Sequence, residues 1–407
     1  MKLAVNHLPV LTWNSCKLNE AQMEVSDSLL SEDVDTKDAL LPVRLPEGIS
    51  RNKADAGELA GIFEELGVSN PKEKVIAGKF PIYNTQKFGT GMGGDVDELM
   101  KGVATDVYTV EGSCHETAPV KLHYEYAKGQ SDLTQILIHA KAGSESTFLL
   151  YFSMLPKDSD YLKECGRCIP SRQQENRERQ EDEMGLIGAR TYLYLEEGAV
   201  VHFHVVQMLE KQTRFFHDIG AFSCRDSRLV MTKLDLGALQ VYEGLNEVQM
   251  GDRSTFEMDF GYLGLAGSRM DINYNDVFLG KKSEGRMYFK EALLQDAQKT
   301  FRGTLDFRQY STGAKGDEQE DVILLGEDIV NKTIPLILGE EEDVDGRHAA
   351  TIGSLSEDML FYMQTRGIDK RKAEELMVRA SLQHICNLVP SESIKKAMLN
   401  DICRVFE

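Results

Sequence analysis

Between residues 118 and 350 the chain is a succession of short runs rich in β-branched and aromatic residues, with no amphipathic segment of helical length between them. Runs at 120–126, 135–139, 147–152, 189–195, 199–207, 227–234 and 239–242 share this texture. They are punctuated by small turn residues: Gly143-Ser144, Gly198-Ala199, Gly220-Ala221, Gly237-Ala238 and Gly267-Ser268. A doubly wound sheet needs helical crossovers between its parallel strands, and none of the required length is present. Strands at uneven spacings of about 15–25 residues fit a β-solenoid, in which each coil buries its face against the next. A sandwich or jelly roll would carry a similar texture, and the residues alone do not separate the three.

The flanks differ. Residues 1–117 mix short helical and irregular stretches, with apolar positions at helical spacing from Ala56 to Leu66 and Gly67 as the stop. Residues 157–183 are highly charged and read as a solvated excursion from the strands. From 354 onward the pattern is helical. Ser354 and Glu357 fit a capping box, Gly367 ends that helix, Asp369 caps a second, and Ser391 opens a third. Three amphipathic helices after a β core predict a docking module or a plug. Its removal is expected to spare the core.

Composition narrows the function. The 407-residue chain carries 66 acidic and 46 basic residues, a net charge of −20, which disfavours nucleic acid and anionic membranes as partners. No apolar run reaches the roughly 18 residues that span a bilayer, and the stretch from Met1 to His7 is not expected to act as a signal peptide. Seven irregularly spaced cysteines suit thiols of a reducing compartment better than a disulfide framework. A cytoplasmic protein is expected.

Several motifs invite chemistry. Gly89-Thr90-Gly91-Met92-Gly93-Gly94 matches G-x-G-x-x-G, which cradles a pyrophosphate when it links a strand to a helix. No βαβ pattern surrounds it, so a loop is the stronger reading. Gly280-Lys281-Lys282-Ser283 lacks the first glycine of a P-loop, Asn275 standing in its place. Cys165 and Cys168 could hold a metal or form a redox pair, but no second Cys or His pair completes a tetrahedral set. His202 and His204 lie on one face of a strand and would need a carboxylate to bind metal. His348 follows the acidic run Glu340-Glu341-Glu342-Asp343 where strands give way to helices. Imidazole is a competent iron ligand, and a hydrogen bond to a neighbouring carboxylate is the competing reading.

Ordered motifs then resemble one family. Phe301-Arg302-Gly303-Thr304-Leu305, Asp321-Val322-Ile323-Leu324-Leu325, Thr333-Ile334-Pro335-Leu336-Ile337-Leu338, His348-Ala349-Ala350-Thr351-Ile352-Gly353 and Leu360-Phe361-Tyr362-Met363-Gln364-Thr365-Arg366-Gly367-Ile368 occur in sequence. They are similar to the F-x-G-x-I, leucine-rich, t-x-P-x-L-e-I, H-G-A-T-x-G and L-F-Y-L-x-S-R-G-I motifs of the SufB/SufD family of iron–sulfur cluster assembly scaffolds. Leu8-Pro9-Val10-Leu11-Thr12-Trp13 resembles the opening of SufD chains from clostridia-like bacteria.

The resemblance implies a mainly β fold: a right-handed parallel β-helix over 118–353, a small amino-terminal domain over 1–117 and a helical domain over 354–407. It implies a non-catalytic scaffold that pairs with SufB through the β-helix and docks the SufC ATPase through the carboxy-terminal helices, around Phe361, Tyr362, Arg366 and Gly367. No tightly bound cofactor is expected. The iron–sulfur cluster would be transient, at the SufB–SufD interface, and ATP would bind only SufC. The SufD side of the family is implied because Glu320 falls where SufB carries a cysteine, and a carboxylate cannot carry persulfide sulfur. His348 would be the interface ligand for iron, with Glu342 or Asp345 as supporting carboxylates. The motif glycine after the histidine is Ala349 here, and no cysteine precedes it within 338–347. A self-pairing scaffold working with SufC alone, a homodimer of the isolated chain, and a β-solenoid enzyme acting on an acidic polysaccharide are the alternatives. The net charge argues against the last.

Overall fold

A computed structural model describes residues 1–10, 18–25, 39–68, 88–112, 118–155 and 184–406. The charged excursion with Cys165 and Cys168 lies outside the described residues. The amino-terminal part contributes β1 (Lys2–Val5), β2 (Ala21–Glu24), β3 (Ile49–Ala54), α1 (Ala56–Glu65), α2 (Gly94–Met100) and β4 (Thr105–Val110). Strands then follow without an intervening helix among the described residues. They are β5 (Val120–Tyr126), β6 (Asp132–Ala140), β7 (Glu145–Met154), β8 (Gly185–Leu195), β9 (Val200–Met208), β10 (Thr213–Ser223), β11 (Arg228–Asp235) and β12 (Gln240–Gln249). The series continues with β13 (Thr255–Gly264), β14 (Arg269–Phe278), β15 (Glu284–Leu294), β16 (Gln298–Phe307), β17 (Lys315–Leu325), β18 (Val330–Gly339) and β19 (Asp345–Gly353). Three helices close the chain: α3 (Glu357–Thr365), α4 (Lys370–Leu388) and α5 (Glu392–Arg404).

Even-numbered strands from β4 to β18 stack in parallel in one sheet, and odd-numbered strands from β5 to β19 stack in parallel in another. That alternation is a parallel β-solenoid. It excludes the sandwich and the jelly roll, whose strands are antiparallel. Period two sends one set of side chains inward, where Phe148, Phe203, Phe256, Phe260, Phe289 and Phe301 stack in a continuous core. Positive-φ Gly143, Gly198 and Gly267 form tight corners between rungs. Gly220 is not a corner, contrary to the sequence reading. It lies inside β10 because a flat surface is needed where Gly89 and Thr90 pack on it.

Both outer faces are covered. Helices α4 and α5 lie on the odd-numbered sheet, burying Val378, Leu382, Ile385, Met398 and Ile402 against Leu149, Leu234, Leu263 and Ala292. Truncating residues buried this way costs about 2–5 kcal/mol each. The expectation that 354–407 can be removed without harm to the core is therefore corrected: its last two helices form part of the core. The cap of α3 also differs. Ser356, not Ser354, accepts the Met359 N–H at 3.2 Å, whereas Asp369 caps α4 as expected, accepting from Lys372 at 2.9 Å.

The amino-terminal segment covers the even-numbered sheet and explains the glycine motif. A Cβ on Gly91 would collide with the backbone of Gly244 and Leu245, so the loop lies flat on β12. The Met92 N–H donates to Asp218 at 2.9 Å, and Asp218 is itself held by Arg190 at 2.8 Å, both acid and base being buried. The Met92 amide thus meets a protein carboxylate, and α2 has seven residues. The motif serves packing.

Candidate functional site

The two ends of the solenoid are finished differently. At the first rung β3 lies antiparallel on β4, and Leu40 bridges Tyr124 of β5, with Leu41 N–H donating to His123 O at 2.8 Å. Both first edges are thus occupied. At the last rung β18 and β19 have neighbours on one side only among the described residues. Exposed strand edges offer unpaired N–H and C=O groups to another chain, and solenoids ordinarily cap them. This bare end is the candidate site.

The register fixes which side chains line its mouth. His348 is the ladder partner of Glu318, and Ala350 of Glu320. Glu318 and Glu320 share the inward parity of the core residue Val322. His348 therefore belongs to the inward column of β19, one rung spacing of about 4.8 Å beyond Glu318, and it is exposed, with no further rung over it among the described residues. Across the mouth, Thr333 of β18 donates to Glu320 at 3.2 Å, and Ile337 and Ile352 remain exposed at 44% and 46%.

Beneath His348 the solenoid interior turns polar. Lys299 is fully buried and bonded to both Glu291 and Glu320. Glu318 packs over Gly303, where any Cβ would collide with its carboxylate. The glycine of the Phe301-Arg302-Gly303 motif thus makes room for a buried acid. Its neighbour Arg302 points outward and bonds Asp271 at 2.6 Å and Leu18 O at 2.7 Å. Burial, then the nearby charge of Glu320, pushes the Glu318 carboxyl up to about 8. Burial likewise pushes Glu291 up to about 7.

These raised acids set a direction for pH dependence. Such a carboxyl keeps its proton in the folded state after the unfolded chain has released it. Its contribution is present below the unfolded pKa, about 4.3, and is lost as pH rises toward 8. Glu318→Gln, neutral throughout, is expected to lose less stability than the natural chain between pH 5 and pH 8. Urea midpoints at the two pH values measure this, and equal declines would contradict it.

Other candidates are not brought together with His348. Asp345 lies on the outer face of β19, as its odd parity demands, and pairs with Arg347 at 2.9 Å. Glu342 lies in the exposed turn before β19. The carboxylate in register with the histidine is Glu318, with Glu320 next in the same inward column, and the acidic look of Glu318-Gln319-Glu320-Asp321 disguises both as surface. His202 and His204 point to the outer face of β9. Burial lowers His204 to about 4 and lowers His202 as well, and Thr232 separates His204 from Asp259 in the ladder. No group of three or more metal-binding side chains converges among the described residues. Phe361 and Tyr362 stand 69% and 59% exposed on α3, which buries none of its residues. Arg366 lies 5.2 Å from the Tyr362 ring centroid, and Gly367 ends the helix at φ +82°.

Comparison with known proteins accords with this architecture. Residues 172–381 match the family described as SUF system FeS cluster assembly, SufBD core domain. The iron-sulfur cluster assembly protein SufD of Bacillus subtilis is 30% identical over 212 residues, which is 51% of this chain and 48% of that protein. SufD of Plasmodium berghei is 24% identical over 221 residues, 54% of this chain and 16% of that protein. SufB of Bacillus subtilis is 24% identical over 126 residues, 31% of this chain and 27% of that protein. The matched stretch spans less than half the length of each of these relatives. With more than half of its residues inside the family's core domain, the chain belongs to the SufB/SufD family of iron–sulfur cluster assembly proteins, close to SufD.

Proposed function

We propose that the chain is a non-catalytic SufD-like scaffold that pairs with SufB through the open end of its solenoid and docks SufC through its carboxy-terminal helices. The observation that carries this reading is the contrast between a capped first rung and a bare last rung bearing His348. The interior there supports it. Glu320 takes the place where the resemblance implies a sulfur-bearing cysteine in SufB, and its buried bond to Lys299 makes it a structural acid. His348, exposed at the mouth, is left as the group able to meet a partner's cluster as an iron ligand. The unburied aromatic pair on α3 supports a second dock for SufC, since exposed aromatics are enriched among interface anchors. No described helix is long and apolar enough to cross a membrane, and Cys224, Cys386 and Cys403 are free thiols, in keeping with work in the cytoplasm.

Co-expression with SufB and SufC, followed by sizing of the purified species, tests the reading. A single species containing all three chains is expected. A chain that purifies without SufB when SufB and SufC assemble with each other would overturn it and favour the self-pairing alternative.

A further inference from the structure

The acids inside the solenoid have partners, and Glu318 departs from that pattern. Lys299 bonds both Glu291 and Glu320, and Thr333 donates a further bond to Glu320. Deeper in, Lys233 pairs with Glu243 at 3.0 Å, Ser223 donates to Glu247 at 2.6 Å and Gln249 donates to Asp276 at 2.9 Å. Glu318 is only 3% exposed, yet it has neither a hydrogen bond nor an ion pair among the described residues. Buried acids are ordinarily paired or hold a metal.

The carboxyl is within reach of solvent all the same. One oxygen each of Glu291 and Glu320 is sealed without a partner; neither oxygen of Glu318 is, so its residual exposure lies at the carboxyl. The next residue along its column is His348, its ladder partner, one rung spacing of about 4.8 Å away. An imidazole nitrogen and a carboxylate oxygen on neighbouring rungs of one column make a donor pair for a small divalent ion, the mixed set found at ferrous sites. Charge favours the same occupant, since three acids, Glu291, Glu318 and Glu320, surround the single base Lys299. Gly346 and Ala350, flanking His348 on the inward face of β19, carry no donor of their own.

We propose that Glu318 is the second ligand this chain offers to ferrous iron, binding the ion together with His348 at the mouth of the solenoid. This rests on the reading of His348 as an iron ligand and adds the carboxylate, in place of Glu342 and Asp345. A proton still on the carboxyl leaves to solvent as the metal takes its place. Two ligands from this chain leave the other positions on the ion to water or to a partner's donors, in keeping with the lack of any group of three among the described residues.

The test uses the isolated full-length chain under anaerobic conditions, with ferrous iron titrated in and binding followed by calorimetry. It needs no partner, so a failure to pair with SufB does not enter. The natural chain is expected to bind one ferrous ion. Glu318→Gln and Glu318→Met keep the length of the side chain and remove the carboxylate, and far-ultraviolet circular dichroism checks that both fold. Each is expected to bind ferrous iron at least about tenfold more weakly, as is His348→Ala. Undiminished binding by both Glu318 variants, with His348→Ala weakened, would overturn the proposal and leave the role of the histidine standing. Binding that none of the three substitutions weakens, or no binding by the natural chain at millimolar iron, would overturn both.

Discussion

His348→Ala, co-expressed with SufB and SufC, is expected to yield an intact complex with little cluster. The side chain is exposed on the last strand, and exposed substitutions ordinarily change stability by no more than about 0.5 kcal/mol. Its backbone bonding is unaffected by alanine, whose Cβ suits the inward column as well as Ala350 does. The imidazole, however, is the one metal-competent side chain among Gly346, His348, Ala350 and Ile352 of the inward column of β19. Losing a ligand from a set of about four costs at least about tenfold in bound metal, since even losing a group that only hydrogen-bonds a ligand costs about 10–100-fold. Iron and sulfide content, measured with complex yield, should fall at least tenfold while yield stays level. Normal cluster content in an intact complex would return His348 to the reading of an ordinary surface histidine.

The second large effect is expected at α3. Phe361→Ser with Tyr362→Ser should abolish co-purification of SufC while leaving SufB bound. Neither ring is buried within the chain, and α3 contributes nothing to the cluster that seats α4 and α5. Stability should therefore change little. Anchoring aromatics contribute about 2 kcal/mol or more apiece at interfaces, so removing two weakens docking by roughly a thousandfold. This pair of substitutions replaces deletion of 354–407, which would strip the outer sheet of its cover and confound docking with unfolding. Retained SufC at natural stoichiometry would move the dock elsewhere.

Much of this was legible in the residues. The runs ending at Gly143, Gly198 and Gly267 announced rungs and corners because strand period and positive φ are local properties. The helical cap at Asp369 was legible for the same reason. The interior beneath His348 was not, because Lys299, Glu318 and Glu320 are charged and charge ordinarily marks solvent. A signal existed. Carrying the inward parity of Val322 back by twos reaches Glu320, Glu318 and Gly316, so the acids share a face with the core. The same counting along β19 separates Asp345 from His348, which proximity in sequence had joined. The glycine motif at 89–94 was rightly read as a loop, but its physical cause, the close approach of one backbone to another at Gly244, was not legible. Which sheet edge was bare, and which face α4 covers, depended on long-range stacking that no window of sequence contains.

If the last rung is the pairing surface, amide hydrogen exchange will show it. The isolated chain and the complex co-purified with SufB and SufC would be compared over β19. Asp345 N–H donates to Ala314 O, so the amides of Gly346, His348, Ala350 and Ile352 face away from β17 and should exchange quickly in the isolated chain. Exchange across 345–353 should slow strongly in the complex, with the capped first rung at 105–110 unchanged. A complex that forms with exchange across 345–353 as fast as in the isolated chain would contradict the account.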